Sequence, residues 1–114
     1  MIEKEVSDEM KPLKVRVEGM IKQYEQSLNY VKEQNNQAVQ DFLARRLYDM
    51  TAEIMMSLLI IDDASRAPEL FAKSANIYVR MAEENVMGKY IYIHHFTADD
   101  LENFKANAIE EKAV

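Results

Sequence analysis

A chain of 114 residues with a formal net charge of -6 and no cysteine is one domain by length, small for a complete cofactor-dependent enzyme, and has no disulfide, thiolate metal site or cysteine nucleophile. Its 14 Lys and Arg are scattered among 20 Asp and Glu, which disfavours nucleic acid as a partner, because phosphate binding draws on clustered bases. Two glycines and two prolines are too few for a turn-rich β fold, while Glu, Lys, Gln, Ala, Leu and Met favour helix, so an all-α fold is expected.

The first element carries Val6, Met10, Leu13, Val17, Met20, Tyr24, Leu28 and Val31 at steps of three and four, the period of one helix face. Pro12 is tolerated only in a first turn, so the regular helix begins near Lys11 or Pro12 and the residues before it form a loose or separate turn. Gln34-Asn35-Asn36-Gln37 has no apolar member and reads as a short connection to an antiparallel second helix, from about Ala38 to about Arg66. On that helix Leu43, Leu47, Met50, Ile54, Leu58 and Ile61 form a stripe, and Arg45 and Arg46 stand four and three residues from Asp49, with Glu53 one turn further on. The run Ile54-Met55-Met56-Ser57-Leu58-Leu59-Ile60-Ile61 is apolar on every side, so this helix is expected to be covered by neighbours around most of its circumference and to form the centre of the core. The eight methionines are accordingly read as core filling in preference to an adaptable contact surface.

Pro68 ends the second helix and suits the first turn of a third, where Glu69 complements the dipole. Its buried face is drawn from Leu70 or Phe71, Ser74 or Ala75, Tyr78, Met81 or Ala82, and Val86, with Ala72, Ala75 and Ala82 allowing close helix approach. Gly88 either caps this helix or lies inside a longer one reaching Ile93. Tyr90-Ile91-Tyr92-Ile93 alternates like a strand but has no strand to pair with, so helix or coil is expected. Thr97 with Asp100 marks a helix start, with Leu101, Phe104 and Ala108 behind it and fraying from Glu110 to Val114. The expected architecture is an up-and-down antiparallel bundle of three long helices and a short C-terminal one, a single domain over residues 1–114.

Little in this pattern carries chemistry. No Glu-x-x-His occurs, and adjacent His94 and His95 diverge on any regular backbone, so a structural or surface role is expected for both. Asp62 and Asp63 oppose the dipole near a helix C-terminus; ion pairing with Arg66 accounts for them, with a cation or a basic patch on another domain as the alternative. Glu53 is a general base only if buried, and a solvated place beside Arg45, Arg46 or Ser57 is expected instead. Ser57 and Ser65 have no histidine at helical spacing, there is no Gly-rich phosphate loop, and the six tyrosines make no cofactor box. No catalytic, cofactor-binding or metal residue is assigned. No apolar run reaches the roughly 20 residues that span a bilayer and no leader pattern opens the chain, so a cytoplasmic protein without a transmembrane segment is expected.

Leu47-Tyr48-Asp49-Met50, the apolar run, Ala64-Ser65-Arg66-Ala67, and Tyr78-Val79-Arg80-Met81-Ala82 through Tyr90-Ile91-Tyr92-Ile93 resemble the appended C-terminal helical domain of bacterial acyl-CoA dehydrogenases. The resemblance covers about two thirds of the chain and rests mostly on helix-forming residues. It implies a parent flavoenzyme that oxidises the α,β bond of fatty acyl-CoA, with FAD as hydride acceptor and a glutamate base, none of it located in these residues. The chain would then be an inert C-terminal fragment that docks on the catalytic body or another subunit. The competing expectation is a free-standing helical interaction module, alone or as a homodimer.

Overall fold

A computed structural model describes residues 6–97 and 99–103 of the chain. Three long helices, α1 (Lys11–Lys32), α2 (Gln37–Arg66) and α3 (Pro68–His95), follow a 3₁₀ turn at Asp8–Met10. No strand occurs among the described residues, and residues 99–103 are again helical. The path is up, down and up. Ser7 N–H donates to Ser65 Oγ (3.2 Å) at one end, and Tyr30 Oη donates to the Phe96 carbonyl (3.4 Å) at the other, so α1 and α3 run parallel and α2 runs against both.

Local chemistry fixes the ends. Pro12 and Pro68 occupy the first turns of α1 and α3, where the missing N–H is not needed. The Asn36 side chain caps α2 by accepting from Ala38 N–H (3.0 Å) and Val39 N–H (3.2 Å). Gly88 has no left-handed φ, so it lies inside α3 and the helix continues to His95. Thr97 and Asp100 form a reciprocal cap: Thr97 N–H donates to Asp100 Oδ2 (2.9 Å) and Asp100 N–H to Thr97 Oγ1 (3.3 Å). Leu101 is buried behind this cap, whereas Phe104, Ala108 and the segment from Glu110 to Val114 lie outside the described residues.

The core is one seam shared by all three helices. From α1 come Leu13, Val17, Met20 and Val31, with Met10 of the preceding turn wholly buried. From α2 come Leu43, Leu47, Met50, Ile54 and Ile61, with Ser57 in register between the last two. Ser57 satisfies its hydroxyl by donating to the Glu53 carbonyl one turn back (2.8 Å), so a polar residue is tolerated there. Leu58, one residue further round, is only half-buried. From α3 come Ala75, Val79, Ala82, Val86 and Ile93, all closed to solvent.

Three expectations are corrected here. The apolar run on α2 is not surrounded: Met55, Met56 and Leu59 are 49%, 52% and 45% exposed, because α1 and α3 pack against one side of α2 and no described element covers the other. Among the methionines, Met10, Met20 and Met50 fill the core, but Met55, Met56, Met81 and Met87 face solvent, so the core-filling reading holds for only part of the set. On α3, neither Leu70 nor Phe71 is buried; the register set by Ala75, Val79 and Ala82 turns Ala72 inward and leaves both large side chains outside.

Leu43→Ala, at a fully buried seam position, should destabilise the bundle by about 2–5 kcal/mol in urea denaturation, whereas Met56→Ala should change stability by less than about 0.5 kcal/mol. Gly88→Ala should stabilise by about 0.5–1 kcal/mol, since a Cβ there meets nothing within 4 Å; a lowered melting temperature would contradict it.

Candidate functional site

An open groove of about 840 Å³ lies between α2 and α3, lined by Asp41, Phe42, Arg45, Arg46 and Asp49 on one side and Glu84, Asn85, Gly88, Lys89 and Tyr92 on the other. Its floor is aromatic. The Phe42 and Phe96 rings stack at 5.0 Å and 18°, Tyr92 meets Phe96 at 5.5 Å, and the Arg46 guanidinium lies 3.9 Å from the Tyr92 ring centroid and 5.0 Å from that of Phe42. Arg46, expected to face the acids of its own helix, thus serves as a cation on two rings.

Three bases and three acids line the groove together, so their fields largely cancel and no net positive region is set up for a diphosphate. No glycine-rich turn contributes backbone donors. These residues do not fit the FAD implied by the resemblance, and no step of flavin chemistry is assigned to them. Among the described residues no group of three or more His, Asp or Glu side chains is arranged to hold a metal ion.

Glu53 sits at the same α2–α3 junction, further along. Its carboxylate accepts from Tyr78 Oη (3.3 Å) and Asn85 Nδ2 (3.2 Å), so it ties α2 to α3 in place of the expected solvated position beside Arg45 or Arg46. Burial pushes the Tyr78 phenol above its ordinary value, and the Glu53 charge and hydrogen bond push the same way. With its oxygens held by two donors across the helix pair, Glu53 acts as a fastening. Ser65 accepts from the Ser7 amide, and Arg66 reaches Asp62 at 2.8 Å and Asp63 at 3.3 Å, the local ion pairing expected from the sequence.

His94 belongs to the opposite, α1–α3 junction. Its ring lies 4.8 Å from that of Tyr30 and 4.3 Å from that of Tyr90, with Nε2 3.5 Å from Ser27 Oγ, while His95 is exposed. Burial first, and the neighbouring His95 second, hold the His94 pKa below its usual value. This is the structural role expected of it.

The remaining feature is apolar surface. Tyr48 (78% exposed), Met55, Met56 and Leu59 lie along the outer side of α2, and Leu70, Ile77, Met81 and Ile91 are exposed on α3. From Thr51 to Ile61 the only charged residue on α2 is Glu53, which faces α3. Exposed Met and Tyr bounded by charge are the usual composition of a protein contact. The sequence signalled neither the groove nor the Glu53 fastening, since each joins residues more than 30 positions apart or of different helices. Only the Phe42–Arg46 step of four could have been read directly.

Comparison with known proteins agrees with this architecture. Residues 1–101 match the family described as acyl-CoA dehydrogenase C terminal. Among solved structures, the acyl-CoA dehydrogenase family protein from Porphyromonas gingivalis is similar at 30% sequence identity and a TM-score of 0.78, over 84% of this chain and 82% of that one. No curated protein matches.

His94 should impose a pH dependence on stability. Its folded pKa is lowered, so below about 6.5 the unfolded chain takes up a proton that the folded one resists. Its stabilising contribution is complete above that pH and declines as pH falls toward the folded value. In denaturation curves taken at a series of pH values, His94→Phe should flatten this region; an unchanged slope would assign the dependence elsewhere.

Proposed function

The chain belongs to the acyl-CoA dehydrogenase C-terminal family, and from that membership we propose that it is a non-catalytic helical domain serving docking or subunit contacts in a cytoplasmic, FAD-dependent acyl-CoA dehydrogenase. The body of that enzyme binds FAD and the acyl-CoA and oxidises the α,β bond; the helical domain contributes contact surface. The observation that carries this reading is the uncharged middle of the outer side of α2, from Ala52 to Leu59, and the exposed methionines around it, in a bundle whose own core is already closed. No helix among the described residues is long and apolar enough to cross a membrane.

The alternative reading is a free-standing helical interaction module.

The discriminating measurement is the mass of the native polypeptide that carries this sequence. Peptides recovered from a size-separated lysate should run with a yellow protein several times heavier than 13.3 kDa. Recovery at 13.3 kDa would remove the covalent link to a catalytic body and leave the free-standing module.

A further inference from the structure

The outer face of α2 repeats the spacing of its buried face. Tyr48, Ala52, Met55 and Leu59 are all exposed and follow one another at steps of four, three and four. The same steps extend the row to Asp41 and Arg45 on one side and to Asp62 and Arg66 on the other. This is a second heptad seam, about 38 Å long at helical rise; its centre lies on the side of α2 that neither α1 nor α3 touches, and its Asp41–Arg45 end borders the α2–α3 groove.

Its order is palindromic in chemical character. Reading from either end inward the row passes a charged pair, then a large apolar residue, then the centre. Laid antiparallel on a second copy with the two-fold axis midway between Ala52 and Met55, every position meets a suitable partner. Ala52 faces Met55 and Tyr48 faces Leu59, while Arg45 faces Asp62 and Asp41 faces Arg66. A parallel arrangement would set Asp41 against Asp41 and Arg45 against Arg45, so the charges select the antiparallel one. The ion pair of Arg66 with Asp62 within one helix, at 2.8 Å, then extends to the acids and bases of the partner helix. The outer faces of the other helices lack this pattern: Lys73, Arg80 and Glu84 interrupt the exposed apolar residues of α3, and Val15 on α1 stands among Lys14, Arg16 and Glu18.

We propose that the outer face of α2 is an isologous dimer interface, in which α2 of one copy pairs antiparallel with α2 of a second copy across a two-fold axis between Ala52 and Met55. The self-complementary charge order chooses a second copy as the occupant over a dissimilar surface. This deepens the subunit-contact reading above by naming the partner, yet it stands on the row itself.

Sedimentation equilibrium of the 114-residue chain tests it. The expected mass at high concentration is twice 13.3 kDa. Arg45→Asp puts like charges opposite each other twice per dimer and should weaken association at least about tenfold. Asp62→Arg should do likewise, and the double variant R45D/D62R should regain it, because each pair is then re-formed with its signs exchanged. Ala52→Cys and Met55→Cys each give a single thiol in a chain without cysteine; mixed and oxidised, the two variants should cross-link to each other into a covalent dimer, whereas Glu18→Cys on α1 should cross-link with neither. These residues are outside the core, and an unchanged helical circular dichroism spectrum verifies that each variant is folded. A folded wild-type chain that stays monomeric, or a dimer indifferent to R45D and to cross-linking between positions 52 and 55, overturns the proposal. A dimer that responds as described while the native polypeptide runs without a flavoprotein body would retain this interface and discard the dehydrogenase reading. A monomer carried in such a body would do the reverse.

Discussion

The burial of one stripe of α2 against two other helices at once is the constraint on which the rest of the molecule depends. Leu43, Leu47, Met50, Ile54 and Ile61 meet α1 on one flank and α3 on the other, so no pair of helices in this bundle has a core without the third. Short connections follow from that demand, since residues 33–36 and the single residue Ala67 hold consecutive helices antiparallel and adjacent. Small residues complete the fit. Ala64, Ala75 and Ala82 are wholly buried, and at such positions neighbouring helices can approach closely enough to exclude solvent.

Polar fastenings hold the two outer junctions at positions the apolar seam leaves free. Across α2 and α3 the fastening is Glu53 with Tyr78 and Asn85, followed toward the far end by Arg46 over Tyr92. Across α1 and α3 it is Arg16 with Glu83 at 2.7 Å, then His94 among Tyr30, Tyr90 and Ser27. The exposed ion pair adds little energy in water, but the aromatic contacts bury surface and fix the rotation of α3 about its axis. That rotation decides which α3 side chains reach solvent, and with them the shape of the α2–α3 groove.

A three-helix seam also leaves an outer side on α2. In a bundle with a fourth long neighbour, Met55, Met56 and Leu59 would have been core; here they are the apolar centre of a surface bounded by Tyr48, Arg45, Asp62 and Arg66. The same residues that look like the middle of a core in the sequence are therefore exposed apolar surface.

The sequence by itself determined the helices and most of their limits. Period, proline position and the Asn36 and Thr97–Asp100 caps act within a few residues, and such local preferences are settled before any packing occurs. It also determined the inward row of α1, the local pairing of Arg66 with Asp62 and Asp63, and the structural character of His94. Only the tertiary structure decided how much of α2 would be covered, because an apolar run records what a helix can bury and not how many neighbours arrive to bury it. The same holds for Leu70 and Phe71, turned out by the register of Ala75, Val79 and Ala82, and for Glu53, whose partners lie 25 and 32 residues away. Such choices depend on the relative rotation of whole helices, a quantity fixed by the summed fit of the seam and by no single residue along it.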